Sequence, residues 1–485
     1  MFSIQKGQST HSSNGFVLRN QGVLVGIAIC VALANSALAQ TGSLTSKKAY
    51  DFWNSTGVQL HADFGTKCYS NYPKMNSDIA NLGIAHVRDG LGNVDPHITW
   101  MGVKFADPNY VNEIKTLESS YGITAFLTWD WNGSFGSAGQ SQISGSNWVY
   151  IGNDIKAYQP AIDSIEVNNE PDLSGITYSG TGFPTGMFWQ TSEMANVILW
   201  NGITGVQLVA PPCGESVNYT PRGVGGGLKS DVAPGYANTY GGGHYYPNLP
   251  DAMPDSAWGS YGTSPGTLAS AISDSQTYTG SNPIYNGETG IDDYDFNGDQ
   301  TVEGFFEPLL YVEHFRQGIA RTSLYELYDE PGITGREGHW GIMNCDGSNN
   351  SSPKPAYSAI KNMMAIVKDT NPASFTPSNV LYSLTGYPSA NPNIHYQVIE
   401  SSDQNTWYLL IWNNVSIWNN TTKTHISPTS EKAVATVATI ANRTFTVYAP
   451  GESSGTNPTT AFTAWATGNA IALNVPAELL IVEIK

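Results

Sequence analysis

The chain has 485 residues, a formal net charge of −18 and only 13% charged residues, against about 25% in an ordinary soluble domain. A surface so poor in Lys and Arg cannot neutralise phosphates, which excludes nucleic acid as a partner and disfavours strongly anionic polysaccharides. The length predicts two domains.

In chain order, the first feature is a polar leader with Lys6 and Arg19. An apolar run, Val23 to Leu33, and Ala37-Leu38-Ala39 before Gln40 follow it. That pattern predicts a signal peptide over residues 1–39, with an uncleaved N-terminal anchor as the alternative. The expected mature protein is a secreted monomer, extracellular or periplasmic, with no membrane attachment after cleavage. Asn-x-Ser/Thr triplets occur at Asn132, Asn218 and Asn420; whether the host glycosylates them is open.

From Gly57 to about residue 368, short apolar runs alternate with amphipathic stretches. Strands are predicted at Val58–Phe64, Ile84–Arg88, Ile123–Trp129, Ile162–Asn168, Val206–Ala210, Thr239–Tyr246, Pro283–Asn286 and Ser323–Tyr328. Helical patterns lie between them at Met75–Leu82, Val111–Ser119, Phe188–Leu199, Leu268–Thr277 and Phe305–Gly318, and Pro355–Val367 follows the last strand. Such alternation predicts βαβ units, and eight of them fit a (β/α)8 TIM barrel better than an open sheet. No glycine-rich phosphate fingerprint follows the first strand, which lowers the dinucleotide-binding alternative. Beyond Asn371 short strands separated by turn-rich loops predict an antiparallel β-sandwich. The expected fold class is thus α/β: a barrel over residues 40–370 with a C-terminal β-sandwich over residues 371–485.

Two strand ends carry the chemistry. In Ile165-Glu166-Val167-Asn168-Asn169-Glu170-Pro171 an apolar run ends on a glutamate, and the proline stops the strand. Asn282-Pro283-Ile284-Tyr285-Asn286-Gly287-Glu288 repeats the design. In a barrel, the C-terminal ends of the strands form one mouth, so Glu170 after the fourth strand and Glu288 on the seventh should face each other. Paired carboxylates across a sugar are what cleavage of a glycosidic bond needs: one ionised to attack, one protonated to release the leaving oxygen. Asn-Glu-Pro alone is a weak tripeptide, and a lone strand-end glutamate often forms a salt bridge. The pairing with Glu288 carries the reading.

On these residues the chain resembles the clan A glycoside hydrolases, the retaining barrel glycosidases that include families 5, 30, 39 and 51. The resemblance covers the barrel and, more loosely, the sandwich. It implies Glu170 as acid/base, Glu288 as nucleophile, and Asn169 as a ligand of the sugar 2-hydroxyl. Arg88 would buttress the nucleophile, and His244-Tyr245-Tyr246 would place the Tyr246 hydroxyl on it. The extended family 39 motif around the acid/base is not fully matched. His61, Trp131 and Trp340, together with Trp129 and Asp130, end strands at the expected mouth. Aromatic faces there suit the C–H face of a sugar ring, with mouth packing as the bland alternative. Tyr325, Glu326 and Asp329 read as barrel scaffold.

The segment after Glu288 offers oxygen ligands at alternate positions, with Asp295, Asn297 and Asp299 the candidates for a structural Ca2+. Neither register completes the loop, and a solvated acidic rim is the alternative. No redox or organic cofactor is expected. Of the four cysteines, Cys30 leaves with the signal. Cys68 and Cys345 follow the first and eighth strands, which are neighbours in a closed barrel, so a bridge between them is allowed. The expected activity is a secreted retaining β-glycosidase acting by double displacement, probing oligo- or polysaccharide through an open cleft (Gly223–Gly227, Gly241–Gly243) and hence endo-acting. The alternative is a non-catalytic carbohydrate-binding protein on the same scaffold.

Overall fold

The computed structural model describes residues 40–41, 45–92 apart from 66, 108–129, 143, 145, 147–183 apart from 175 and 176, 185–214, 239–247, 254, 256–257, 266–279, 283–387, 393–437, 443–452, 459–460, 464–467 and 469–485. The expected signal peptide, Asp130, Trp131 and the Gly223–Gly227 loop lie outside them.

The eight predicted strands all form and close into a parallel barrel in sequence order. They are β1 (Thr56–Gln59), β2 (His86–Gly90), β3 (Thr124–Trp129), β4 (Ile162–Val167), β5 (Gln207–Val209), β6 (Thr239–His244), β7 (Ile284–Thr289) and β8 (Arg321–Leu324). β8 pairs with β1 through Thr322–Thr56, Ser323–Gly57 and Leu324–Val58, which closes the ring. Around it run α1 (Tyr72–Leu82), α2 (Pro108–Tyr121), α3 (Trp148–Tyr158), α4 (Thr185–Trp200), α5 (Leu268–Thr279), α6 (Gln300–Arg316) and α7 (Pro355–Val367). Local signals set the helix ends. α1 starts at Asn71, whose side chain accepts from the Lys74 amide, and stops at Gly83 with φ 83°. α6 starts at Asp299, whose carboxylate accepts from the Thr301 amide.

Strand alternation sends Ile165 and Val167 outward to the helices and Ser164 and Glu166 into the barrel. Inside, Phe126, Val209 and Tyr285 form a buried layer with Tyr240 packed against it. An arginine lies on each side of that layer. Arg88 sits 5.7 Å from the Phe126 ring centroid on the mouth side, and Arg321 sits 4.4 Å from that of Tyr285 on the floor side.

The C-terminal region forms two antiparallel sheets with their own buried core, including Val398, Leu409, Ile411, Val447, Leu473 and Val482. The N-terminal stretch departs from expectation. Gln40–Thr41 pairs with Leu384 and Ser383 of one sheet, and Lys47–Lys48 pairs with Ile399 and Glu400 of the other. Gln40–Thr41 and Lys47–Lys48, assigned to the barrel from the sequence, therefore supply an edge strand to each sandwich sheet. The barrel's apolar core runs on into the sandwich: Leu410, Trp412, Trp418 and Ile481 belong to the same cluster as Phe306, Leu309 and Leu310 of α6. Trp407, Trp412 and Trp418 are all buried, which fits packing rather than a sugar-binding face.

Candidate active site

The loop after β4 carries its glutamate on a backbone under strain. Asn168 has φ 64° and Glu170 has φ 42°. Left-handed backbone is tolerable for asparagine and uncommon for glutamate, and such positions concentrate at functional sites. Pro171 then opens a short helix, Pro171–Ser174. A Cβ on Gly214 would crowd Leu173 Cδ1 and lie 2.9 Å from Glu170 Cδ, so a side chain there would push on the carboxylate.

Glu288 arrives from β7. A register shift between Gly243 and His244 of β6 sets His244 directly opposite Glu288, the kind of re-aiming a bulge performs. A Cβ at Gly287 would sit 3.0 Å from both Arg88 Nε and His244 Nε2, so glycine there clears space for both side chains.

The site then assembles around the two carboxylates. A carboxylate oxygen of Glu170, one of Glu288 and a ring nitrogen of His244 all lie within 4.8 Å of one another. His244 Nδ1 is 2.9 Å from Glu170 Oε1 and 3.5 Å from Glu288 Oε2. Arg88 Nη1 donates to Glu288 Oε1 at 2.7 Å and to Gln59 Oε1 at 2.8 Å. Its Nη2 donates to Glu166 Oε1 at 2.6 Å and to Asn169 Oδ1 at 2.7 Å. The Tyr246 hydroxyl donates to Glu288 Oε2 at 2.9 Å.

These partners decide the charge state of Glu288. Burial opposes ionisation, but the charges of His244 and Arg88 and the hydrogen bonds from Tyr246 and Arg88 outweigh it and hold the carboxyl below its usual range. Burial likewise disfavours charge on His244, yet Glu288 and Glu170 raise its pKa. Tyr246 is pushed well above the ordinary phenol range, first by burial and then by the Glu288 charge, so it remains a donor.

Glu170, Glu288, Asn169, Arg88, His244 and Tyr246 thus converge. Trp340 is buried beside them, its ring 5.1 Å from that of Tyr246. His61 faces another group: its Nδ1 lies 2.9 Å from Glu330 Oε1 and 3.1 Å from Glu326 Oε2. Those carboxylates overcome burial and raise the His61 pKa well above normal.

Among the described residues, these two triads, Glu170–His244–Glu288 and His61–Glu326–Glu330, are the sets of three acidic or imidazole side chains close enough to share an ion. Neither includes the expected calcium ligands. Asp295 lies 3.3 Å from Arg336 Nε, Asp299 caps α6, and Asn297 adopts left-handed backbone (φ 58°) in the turn leading to that cap. Phe296 between them points into the core against Trp418, with ring centroids 5.1 Å apart. Asp292 and Asp295 tie this turn to Arg336 of the eighth loop.

Sequence reasoning missed Glu166, Gln59 and Tyr325. Glu166 was visible as an acid inside an apolar parallel-strand run, where a charge needs a buried partner. Tyr325, read as scaffold, packs at the mouth, 6.0 Å from Trp340 and 6.5 Å from Tyr246 between ring centroids. Cys68 and Cys345 are bridged, and Cys213 is a buried free thiol.

No sequence-family model matches this chain, and no curated protein does. Solved structures do. The catalytic domain of GH30 xylanase C from Talaromyces cellulolyticus aligns at TM-score 0.56 and 13% identity, covering 92% of this chain and 98% of that one. A family 39 glycoside hydrolase from Bacteroides cellulosilyticus aligns at TM-score 0.54 and 13% identity, covering 91% and 83%. A monomeric beta-xylosidase from Caulobacter crescentus aligns at TM-score 0.54 and 14% identity, covering 91% and 98%. At such identities the likeness establishes a common fold, barrel and sandwich together.

Proposed function

We propose that this chain is a retaining β-glycosidase of the clan A type, hydrolysing a neutral oligo- or polysaccharide by double displacement. The observation that carries the proposal is the convergence of Glu170 and Glu288, with oxygens within 4.8 Å. Retaining enzymes place their carboxyls about 5–5.5 Å apart, whereas inverting enzymes leave about 6.5–9.5 Å for a water. The glycoside hydrolases that share the fold support the same reading.

The roles follow from the surroundings. Glu288, buried and held ionised by Arg88, His244 and Tyr246, is the nucleophile. Its oxygen bonds to the anomeric carbon as the glycosidic C–O bond breaks, and Glu170 gives its proton to the departing oxygen. Water then attacks the same carbon, Glu170 takes the water's proton, and the ester to Glu288 is released. Glu170 suits the acid/base role because its side chain is about a quarter exposed (26%), open to leaving group and water, whereas that of Glu288 is 10% exposed.

Asn169 beside the pair is the proposed contact to the sugar 2-hydroxyl. The rings of Tyr246, Tyr325 and Trp340 are the proposed walls of the sugar site. Tyr294, 54% exposed with its ring 5.7 Å from that of His339, carries aromatic surface outward along the rim, which supports several bound sugars and endo-acting cleavage. Export is part of the proposal, on the leader-like residues 1–39; the Cys68–Cys345 bridge supports it, since structural disulfides persist in oxidising compartments. Among the described residues no helix is long and apolar enough to cross a membrane.

A panel of β-linked xylans, glucans and 4-nitrophenyl β-glycosides tests the proposal. Release of reducing ends with the β-anomer formed first, followed by NMR, is the expected result. Binding without release on every member would make the chain a carbohydrate-binding protein instead.

A further inference from the structure

Glu288 is not the only anion on Arg88. The guanidinium lies between two carboxylates, bonding Glu288 through Nη1 at 2.7 Å and Glu166 through Nη2 at 2.6 Å. Glu166 has no exposed surface, so it lies out of reach of a sugar in the cleft. Its Oε1 also accepts from the Thr128 hydroxyl at 3.2 Å, and its Oε2 has no partner among the described residues. A buried acid with an oxygen left unpaired is costly, and scaffolding alone would be served by a glutamine, which can accept the same bond from Arg88.

We propose that Glu166 is a positioning residue that divides the charge of Arg88 with Glu288 and thereby keeps the nucleophile reactive, an inference that rests on the double-displacement reading. A buried guanidinium devoted to one carboxylate forms a tight, bidentate-capable pair. Such a pair stabilises the resting nucleophile, and stabilising the ground state alone slows the chemical step. With a second anion on Nη2, part of the pull is diverted. Glu166 also opposes the ionisation of Glu288 directly, as a like charge across one guanidinium.

The groups that face Glu288 come from every side of the mouth. Arg88 projects from β2, His244 and Tyr246 from the end of β6, Glu170 from the loop after β4, Tyr325 from the end of β8, and Glu166 from β4. Arg88 and His244 thus meet three carboxylates, and Glu166 is the carboxylate with no step of its own in the proposed reaction. Gln59 and Asn169 hold the remaining guanidinium contacts at 2.8 and 2.7 Å, so Arg88 stays in place when residue 166 loses its charge.

Two variants test this with opposite signs. In Glu166→Gln the opposing charge is gone, so the titration midpoint of Glu288 should fall by about one pH unit. Because Glu288 must be ionised to attack, the acid limb of kcat/KM should move to lower pH by the same amount. Its kcat on 4-nitrophenyl β-glycosides should drop about tenfold with KM nearly unchanged, as expected for a less basic nucleophile. In Thr128→Val, Glu166 loses a competing donor and pulls harder on Arg88, so the midpoint should rise slightly, by about 0.3 pH units.

The midpoint is read directly by carboxyl-carbon NMR of glutamate-labelled protein, with the Glu288 signal identified by its loss in Glu288→Gln, so the test does not require turnover. A Glu288 midpoint that stays put or rises in Glu166→Gln, or that falls in Thr128→Val, overturns the inference. Absence of hydrolysis by the unaltered enzyme would instead overturn the double-displacement reading while leaving the charge division to stand or fall on the titration.

Discussion

Two arginines lie inside the barrel on opposite sides of one aromatic layer, and they are treated differently. On the floor, Arg321 meets Asp163 through Nη1 at 2.8 Å and Nη2 at 3.1 Å. Asp163 is also hydrogen-bonded by Ser164, Thr124 and His86. Burial works against the Asp163 charge, but Arg321 and His86 more than offset it and hold the carboxyl far below the usual range. Each Asp163 oxygen accepts at least two hydrogen bonds. At the mouth, Arg88 is shared between two glutamates, one of which keeps a face toward the cleft. The lesson is that a barrel uses one residue type for stability at its N-terminal face and for chemistry at its C-terminal face. What separates the two uses is whether the acid's hydrogen-bonding capacity is filled.

The contrast is sharp enough to be undone by mutation. Glu170→Ala should lower kcat/KM by about 10³-fold on substrates with poor leaving groups, the usual worth of a positioned proton donor. Azide should restore turnover on activated aryl glycosides and yield the β-azide, while the thermal midpoint stays close to that of the parent. At the floor, Asp163→Ala should leave kcat of the folded enzyme unchanged but cost about 3 kcal/mol of stability in urea unfolding, because Arg321 is stranded in the interior. If the floor variant loses activity at full stability, the division between the two faces is wrong.

The pH dependence of stability separates them further. A carboxyl whose folded pKa lies below its unfolded value contributes stability that is present above about pH 4 and lost as pH falls. Asp163→Asn should therefore flatten the acid side of the stability profile. Tyr246→Phe, which removes one donor from Glu288 and nothing from the core, should cost about tenfold in kcat/KM and shift the acid limb of the rate profile upward.

The smallest effect belongs to a third carboxylate, neither floor nor mouth. Glu307 is buried with Oε1 on the Ile291 amide at 2.8 Å and Oε2 without a partner among the described residues, and burial pushes its pKa up to about 8. A raised carboxyl favours the folded state at low pH and loses that contribution as pH climbs toward 8. Glu307→Gln should therefore raise the melting temperature by a few degrees at pH 8.5 and change it little at pH 5.

The barrel was readable because each buried parallel strand is a short apolar run with no competing pattern, and the sandwich because its strands alternate. The convergence of Glu170 and Glu288 was readable for a related reason: an acid ending such a run is exposed to notice. Glu166 sits inside its run, where Ile165 and Val167 dominated the reading. Helix α3 was missed because Gly152, Asn153 and Asp154 interrupt its apolar stripe. The strands at residues 40–48 could not be placed, since their partners lie more than 300 residues away and nothing local specifies them. The spacing behind the calcium expectation could not show Arg336, which arrives from the eighth loop and pairs with Asp292 and Asp295. Spacing alone does not reveal a cation brought in from elsewhere in the fold. The disulfide, by contrast, followed from topology once β1 and β8 were made neighbours.

The most direct test of the central claim is covalent trapping. Incubation with 2,4-dinitrophenyl 2-deoxy-2-fluoro-β-glycosides, followed by peptide mass spectrometry, should find one fluoroglycosyl adduct per chain, on Glu288. An adduct on any other residue, or none with a sugar whose parent glycoside the enzyme hydrolyses, would contradict it.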